Sequence, residues 1–277
     1  MSLFRCPLCG GPLAEDGRAY RCAGRHSFDI AREGYVNLLP VQAKHSRFPG
    51  DDQDMAAARR AFLEKGWYQP LRDALAALAV ELTGPAPSVL DAGCGEGYYT
   101  SGVDGALADG GREPAMAGTD ISKFILKAAA RREKRVEFAV ASSYHLPVPD
   151  GRLDLLLNCF SPLALEEFRR VLRPGGVFLY VVPGAEHLWE MKEILYDRPY
   201  PNVEKETGYE GFRCEGILPI ERSMDLGRQD LGSLFAMTPY AWKTPRTGRE
   251  RLAAVDRLTV RASFRVLVYR RVSPLLK

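Results

Sequence analysis

The segment SVLDAGCGEGYYT, residues 88–100, constrains the fold of this chain more than any other segment. Val89 and Leu90 form a short apolar strand, and three glycines follow at alternate positions before a helix can begin at Tyr98. A strand, a glycine-rich loop and a helix together build a nucleotide site at the carboxyl end of a parallel strand. The segment therefore predicts an α/β protein with a mostly parallel, Rossmann-like sheet.

The spacing of the glycines indicates which nucleotide binds. A dinucleotide site needs G-x-G-x-x-G. This chain instead has D-x-G-x-G-x-G, in which Asp91 is followed by Gly93, Gly95 and Gly97. The Asp91 carboxylate would repel a pyrophosphate, but it can accept a hydrogen bond from an ammonium group or anchor the loop. The predicted cofactor is therefore S-adenosylmethionine, an adenosine that carries a sulfonium and an amino-acid tail.

The next two strands supply the remaining predicted contacts to this donor. Residues 115–119 read as a second strand that ends at Asp120, whose carboxylate can accept hydrogen bonds from both ribose hydroxyls. After a helix, a third strand over residues 135–141 brings Ser142 and Ser143 to the sheet edge where adenine would lie.

A cluster of cysteines and a histidine near the start of the chain predicts a zinc site. The spacing is C-x2-C-x12-C-x3-H, formed by Cys6, Cys9, Cys22 and His26. Four such ligands complete a tetrahedral site and leave no position for water, so the zinc would be structural. A segment this short rarely buries enough core without metal or disulfides. We therefore expect a zinc ribbon with Gly10 and Gly11 in its first turn and a hairpin turn at AEDG.

Composition and charge exclude several other classes of protein. No apolar run approaches the roughly 20 residues that span a bilayer, and the N-terminus lacks the apolar segment of a secretory signal. Six cysteines in 277 residues are too few for a disulfide scaffold. These features predict a cytoplasmic protein without membrane association.

The net charge of +3 lies entirely in residues 1–48, which hold seven Lys and Arg against four acids. This positive excess is either incidental or faces nucleic acid.

The segment between the two motifs predicts a linker. The stretch VQAKHSRFPGDDQD reads as a loop, and GWYQP separates two helices over residues 55–65 and 71–82. We therefore divide the chain into a zinc ribbon over residues 1–40, a linker with helices over 41–83 and a methyl-donor domain over 84–277. Residues 44–51 of this loop either shape the acceptor pocket or form a solvated connection.

The chain resembles the class I S-adenosylmethionine-dependent methyltransferases in DAGCGEG, GTD, LPVPDGRLD and RVLRPGG, which occur in that family's order over residues 88–183. This resemblance implies a mostly parallel sheet of seven strands. The chain as a whole resembles one family, the 23S rRNA guanine-N1 methyltransferases. The segments that carry this resemblance are the ribbon, FDIAREGYVNLLP, HSRFPGD, WYQPL, DAGCGEGYYT and MTPYAW. Two branches of that family modify neighbouring guanines of one rRNA hairpin, and one branch confers resistance to tylosin- and mycinamicin-type macrolides; the residues assign this chain to neither branch.

The family resemblance implies further donor contacts and a homodimer. It implies that Tyr68 in WYQP, His187 in PGAEHL, and Gly95 and Glu96 in the glycine loop contact the donor. Each aromatic ring has a plainer alternative: Tyr68 could pack on the core, and His187 could lie at a helix start without a ligand. The ribbon would then grip the rRNA hairpin, and loss of Cys6 would weaken RNA binding while sparing donor binding.

The tip of the fourth predicted strand, NCFSP at residues 158–162, is where this fold usually meets the acceptor. The Asn/Asp-Pro-Pro-aromatic pattern of amine methyltransferases is absent, which argues against methylation of an exocyclic amine. Phe160 could stack on a base or pack in the core, and Cys159 lacks the context of a nucleophile. No catalytic base is identified. The C-terminal MTPYAWKTPRTG either forms a stacking and phosphate-binding surface or is an ordinary exposed edge.

Two other functions stay open on these residues. One is methylation of a small molecule by a protein with an incidental zinc module. The other is RNA binding without catalysis, which the intact glycines and Asp120 argue against.

Overall fold

The structure, a computed structural model, describes residues 2–40, 53–204 and 207–273. The loop over 44–51 that we considered as part of the acceptor pocket lies outside these residues. Among the described residues, no helix combines the length and the apolar character needed to cross a bilayer.

The N-terminal segment begins with a small antiparallel sheet. Its strands are β1 (Ala14–Asp16), β2 (Ala19–Arg21) and β3 (Ser27–Asp29), paired in the order β1-β2-β3. The hairpin between β1 and β2 turns at Gly17, whose φ of 65° suits a residue without a side chain. The predicted AEDG turn is therefore shorter than expected, because its first three residues form β1. A fourth strand, β4 (Tyr35–Asn37), is not part of this small sheet and pairs in the main sheet instead.

The remaining elements alternate strands and helices before a long terminal hairpin. In chain order they are α1 (Gln53–Glu64), α2 (Gln69–Leu82), β5 (Ser88–Ala92), α3 (Tyr98–Asp109), β6 (Ala115–Asp120), α4 (Lys123–Arg132), β7 (Glu137–Val140), β8 (Leu153–Cys159), α5 (Leu165–Val171), β9 (Leu172–Pro183), α6 (Trp189–Leu195), β10 (Phe212–Gly227), α7 (Arg228–Ala236), α8 (Tyr240–Lys243), α9 (Arg246–Ala253) and β11 (Arg257–Arg271).

The main sheet confirms the predicted Rossmann-like class and extends it by one strand. Its order is β10-β11-β9-β8-β5-β6-β7-β4. Strands β4 to β9 pair in parallel, whereas β11 runs antiparallel to both β9 and β10. The expected methyltransferase sheet accounts for β5 to β11, and the eighth strand comes from the N-terminal segment that also forms the ribbon.

The central strands are mostly apolar on both faces because helices or loops cover both faces of the sheet. In β8, LDLLLNC is buried at every position except Asp154, which accepts hydrogen bonds from the backbone and hydroxyl of Ser88. One apolar cluster packs α2, α3 and α7 against one face of the sheet. The other packs Leu3, Phe4 and Cys6 with residues of β5 to β9, so the ribbon and the sheet share a core.

Candidate functional site: a zinc centre and a methyl-donor pocket

The four predicted zinc ligands converge on one point. Their donor atoms all lie within 4.8 Å of one another. His26 Nδ1 is 3.4 Å from the sulfurs of both Cys6 and Cys22, and the sulfurs of Cys9 and Cys22 are 3.6 Å apart. Bonds of about 2.0–2.3 Å to a tetrahedral zinc give edges of this length. The donor set therefore fits a closed structural zinc site, as predicted.

Two tight turns place these ligands. In the first, Gly10 N–H donates to Cys6 O at 2.8 Å, and Gly10 adopts a φ of 73°. We expected the left-handed conformation at both glycines, but Gly11 does not adopt it. In the second turn, Arg25 has a φ of 63° and its N–H donates to Cys22 O at 3.0 Å. A non-glycine residue in this conformation is strained, and a bound metal would hold the turn in place.

The glycine loop after β5 has the backbone that its sequence predicts. Gly93, Gly95 and Gly97 have φ values of 83°, 55° and 77°. A Cβ atom on Gly93 would lie 1.9 Å from Ser161 Oγ, which means that only glycine fits beside the tip of β8. The loop therefore lies against the carboxyl ends of β5 and β8, where ligands of open α/β sheets bind.

The carboxylate of Asp120 holds this loop to β6. Its Oδ2 accepts a hydrogen bond from Gly95 N–H at 3.0 Å, and its Oδ1 accepts one from Ser122 N–H at 2.8 Å. Asp120 therefore joins the glycine loop to the turn that follows β6. The structure thus gives Asp120 an anchoring role in addition to the predicted ribose contact.

Asp91 is a buried carboxylate with half of its acceptor capacity unused. Only 1% of the residue is exposed, and Oδ2 accepts a hydrogen bond from Thr100 Oγ1 at 2.6 Å. Its Oδ1 has no partner among the described residues. Burial, supplemented by the charge of Asp120, raises the pKa of Asp91 to about 7. A buried acceptor left without a partner is costly, and an ammonium group would satisfy it.

Glu96, which the family resemblance implies as a donor contact, is a buried carboxylate. It is 2% exposed, and its Oε1 pairs with Arg132 Nη2 at 3.0 Å. Its Oε2 has no partner among the described residues. Burial raises the pKa of this carboxyl, and the nearby Arg132 opposes that shift. Arg132 was not singled out from the sequence, because a lone arginine at the end of a helix carries no pattern.

Ser142 and Ser143 follow β7 as expected. Ser142 Oγ accepts a hydrogen bond from Tyr144 N–H at 3.3 Å, and Ser142 O accepts one from His145 N–H at 3.0 Å. Both serines are half-buried. The turn therefore has a defined shape at the edge of the predicted adenine site.

Tyr68 and His187 meet around a residue that the sequence did not indicate, Phe264 on β11. The Tyr68 and His187 rings each lie 4.8 Å from the Phe264 ring, centroid to centroid, and 6.3 Å from each other. Burial lowers the pKa of His187 to about 3 and raises that of Tyr68. His187 Nδ1 accepts a hydrogen bond from Ser263 N–H at 3.2 Å, so the neutral ring carries its proton on Nε2 and can donate but not act as a base there.

The tip of β8 displays one aromatic ring to solvent. Phe160 is 45% exposed and has a φ of 54°. Its ring lies 5.5 Å from Phe264 and 6.4 Å from Tyr99. Asn158, fully buried, donates from Nδ2 to Ala92 O at 3.0 Å and thereby joins this tip to β5. Core packing, one of the two alternatives for Phe160, therefore explains only the buried part of the ring. The exposed part is open to stacking on a base, the other alternative.

The cysteines in this region are not reactive centres. Burial raises the pKa values of Cys94 and Cys159 well above the usual range, so neither is a thiolate at neutral pH. Cys94 fills the space beneath the loop, since its sulfur lies 3.0 Å from where a Cβ on Gly118 would be. Cys94 thus packs beneath the loop, and burial gives Cys159 no activation as a nucleophile.

Unpaired buried acceptors point to the charge of the ligand. Among the described residues, Asp91 Oδ1, Glu96 Oε2 and Asn158 Oδ1 are buried without a hydrogen-bond partner. Acceptors that lack donors are satisfied by a ligand rich in N–H groups or positive charge. The pocket therefore fits a cationic nucleoside such as S-adenosylmethionine, in which an ammonium and a sulfonium accompany the ribose hydroxyls.

Family comparisons match both halves of the chain. A family described as "RlmA, N-terminal", a zinc ribbon, matches residues 4–47, and a methyltransferase domain family matches residues 89–176. In overall fold, the chain is similar to the YcgJ protein of Bacillus subtilis, with a TM-score of 0.50 and 13% identity over 72% of this chain and 98% of that one. The fold and the site together define a zinc-ribbon S-adenosylmethionine-dependent methyltransferase.

Relatives of nearly full length identify the family. The chain is 37% identical, over 96% of its length and 97% of the relative's, to a Micromonospora griseorubida protein named "Putative 23S rRNA (guanine-N(1)-)-methyltransferase". It is 36% identical, over 86% of its length and 85% of the relative's, to the 23S rRNA (guanine(748)-N(1))-methyltransferase of Streptomyces fradiae. The chain belongs to the 23S rRNA (guanine-N1)-methyltransferase family.

We predict that donor binding depends on the ionisation of Asp91. Since its pKa of about 7 exceeds the ordinary 3.8, the unliganded fold favours the protonated group and loses stability as the pH rises from about 4 through about 7. An ammonium group prefers the ionised form, so affinity should rise over that range by up to about tenfold per pH unit. Calorimetric titration with S-adenosylhomocysteine, which keeps the ammonium group, measures this profile. Asp91→Asn should flatten it, and an unchanged slope in that variant would assign the titration to another group.

We predict that Asp120→Ala weakens donor binding by about 10- to 100-fold, because it removes the ribose acceptor and frees the Gly95 backbone. The free energy of unfolding should fall only slightly, since a hydrogen bond typically contributes about 1 kcal/mol. Asp120→Asn keeps one acceptor oxygen and should be intermediate. Asp109→Ala, an exposed carboxylate at the end of α3, serves as the matched control. Equal donor affinity in Asp120→Ala and this control would remove Asp120 from the site.

Proposed function

We propose that this methyltransferase transfers the methyl group of S-adenosylmethionine to N1 of a guanine in a hairpin of 23S rRNA. The observation that carries the proposal is the match, over nearly the whole of both chains, to relatives named for that reaction. Residues of the glycine loop, with Tyr68, Asp91, Asp120, Ser142, Ser143 and His187, would hold the donor. We place this activity in the cytoplasm, where a reducing environment also suits the cysteine ligands.

The ribbon offers the charge that an RNA ligand needs. Arg18, Arg25 and Arg32 are exposed, and none has an acidic partner among the described residues. Such unneutralised guanidinium groups contact phosphates and displace counterions. On α8, Trp242 is 64% exposed beside the exposed Lys243, which supports the interpretation of MTPYAWKTPRTG as a stacking and phosphate-binding surface.

The reaction itself requires positioning more than a strong base. N1 lies in the centre of a Watson–Crick pair, so the guanine must be unpaired or extruded to reach a donor at the sheet edge. Holding the two reactants in line can supply about 7–11 kcal/mol of the barrier. The N1 proton leaves as the N–C bond forms, and water can accept it. Neither His187, protonated on Nε2, nor the buried cysteines offer a base at neutral pH.

Phe160 is the residue best placed to hold the guanine. Its left-handed backbone costs about 1–3 kcal/mol. This conformation leaves the Phe160 ring partly exposed and 5.5 Å from the Phe264 ring, while the next residue, Ser161, packs against Gly93 of the glycine loop. Stacking on an aromatic ring is worth about 1–3 kcal/mol per base, which offsets the strain only when a base is bound.

A homodimer is also part of the proposal. The edge strand β10 exposes Ile217 and Leu218 at 39% and 38%, and an edge with apolar side chains supports pairing with a second copy. Light scattering of the purified protein measures the mass directly.

The proposed reaction is tested by mass-spectrometric mapping of methylated nucleotides in large-subunit rRNA with and without the protein. We expect one new N1-methylguanosine in one hairpin. Labelled donor is also supplied to rRNA and to a metabolite extract in parallel. Label that enters only the metabolites would favour the small-molecule alternative, and label in neither, despite donor binding, would favour a non-catalytic RNA-binding protein.

We predict that Phe160→Ala lowers kcat/KM for rRNA by about 10- to 100-fold and leaves donor affinity unchanged. Phe160→Trp keeps a stacking ring and should retain most activity. Phe160→Gly should raise the melting temperature, because glycine relieves the left-handed strain, while it loses activity like the alanine variant. Steady-state methyl transfer and thermal unfolding measure the two effects. Full activity in Phe160→Gly would assign the exposed ring to packing alone.

A further inference from the structure

The N-terminal segment forms the edge of the main sheet next to the predicted adenine site. Strand β4 pairs in parallel with β7, the strand that leads to Ser142 and Ser143. The pairs are Tyr35↔Phe138, Val36↔Ala139 and Asn37↔Val140. Leu38 N–H extends this pairing by donating to Val140 O at 3.0 Å. The strand beneath the adenine site is therefore an inner strand only because the N-terminal segment covers it.

Glu137, at the start of β7, fastens the ribbon to this strand. Its Oε1 accepts a hydrogen bond from Leu3 N–H at 3.2 Å, and its Oε2 accepts bonds from Tyr20 O–H at 3.1 Å and from Ser2 Oγ. Leu3 and Tyr20 are 0% and 8% exposed. Burial first, and then the charge of Glu137, raise the pKa of Tyr20, so the hydroxyl stays a donor.

The loop after the two serines also contacts the ribbon. Arg5, directly before the zinc ligand Cys6, donates from its backbone N–H to Pro147 O at 2.7 Å. Its side chain reaches Asp150 at 3.3 Å. Cys6 is 1% exposed and packs in the same apolar cluster as Leu146. Ribbon contacts therefore lie on both sides of Ser142 and Ser143 along the chain.

These contacts differ in strength. The ion pair between Arg5, which is partly exposed, and Asp150, which is exposed, lies at the surface, and such pairs contribute little. The bonds to Glu137 come from buried donors, which would have no acceptor if the carboxylate were removed. Glu137 is thus the side chain through which the ribbon acts most strongly on β7.

We propose that Glu137 is a positioning residue that couples zinc binding in the ribbon to donor binding at the turn formed by Ser142 and Ser143. Ribbons of this size fold only with their metal. Loss of zinc would withdraw the three donors from Glu137 and loosen β7 and the turn at Ser142. This changes the expectation drawn from the sequence, in which loss of Cys6 spared donor binding. The inference rests on metal and donor binding and not on the RNA substrate.

Thermodynamic linkage provides a test in the intact, zinc-loaded protein. If zinc favours donor binding, the donor must favour zinc binding by the same factor. We expect S-adenosylhomocysteine to tighten zinc binding by about fivefold or more, measured by competition with a chromogenic chelator. Zinc affinity that is equal with and without the ligand, in protein shown by calorimetry to bind it, would overturn the proposal.

Substitutions at Glu137 separate coupling from simple loss of stability. Glu137→Ala should abolish the effect of the donor on zinc affinity, whereas Glu137→Gln keeps an acceptor oxygen and should restore part of it. Glu133→Ala is the matched control, since this nearby carboxylate contacts Arg135 and not the ribbon. A purely structural role for Glu137 would lower the melting temperature and leave the ligand effect on zinc affinity intact, which contradicts the proposal.

A second variant covers the case in which Glu137→Ala does not fold. Tyr20→Phe removes one donor to Glu137 and keeps the ring, so it should fold and show a reduced coupling. Hydrogen exchange locates the change: amides of residues 138–146 should exchange faster in both variants with zinc bound. Wild-type coupling in Tyr20→Phe, with unchanged exchange in that segment, would show that the ribbon acts on the donor site by another route or not at all.

Discussion

The shape of the glycine loop depends on one contact, in which the Asp120 carboxylate at the end of β6 accepts a hydrogen bond from the Gly95 N–H after β5. Since β5 and β6 pair in register, with Asp91 opposite Gly118, both carboxylates reach the same edge of the sheet. The bond fixes the glycine loop beside Asp120, the residue predicted to contact the ribose. Removing that acceptor affects the shape of the loop and the ligand contact together.

The two carboxylates do different work because their surroundings differ. Asp120 is half-buried and bonded to backbone N–H groups, whereas Asp91 is buried with one unpaired oxygen. The proximity of Asp120 raises the pKa of Asp91 further, after the larger effect of burial. An ammonium group on the donor would give the unpaired Asp91 oxygen a partner and would offset the repulsion between Asp91 and Asp120. We therefore expect the unpaired Asp91 oxygen to favour a ligand that carries an ammonium group.

The local patterns predicted most of the fold. The strand predicted over residues 115–119 is β6 (Ala115–Asp120), and the helix predicted over 71–82 is α2 (Gln69–Leu82), because each combines a distinct apolar pattern with clear end signals. The zinc ligands were equally evident from their spacing. The pairing of β4 was not predictable, since three residues with no distinctive pattern join a strand about a hundred positions away. Phe264 and Glu137 were missed for the same reason, as each acts only through partners distant in sequence.

That unpredicted pairing changes how the two halves relate. Separate modules on a linker would bind metal and donor independently, but here the N-terminal segment shares an apolar core with the sheet and covers its edge at β7. In the proposed coupling, a ribbon that lacks metal uncovers that edge and withdraws the Leu3 and Tyr20 donors from Glu137. On this proposal, the free energy of metal binding that orders the ribbon also orders β7, the strand that leads to the predicted adenine site. An RNA held by the ribbon would then be presented to a donor pocket whose shape already depends on the ribbon being folded.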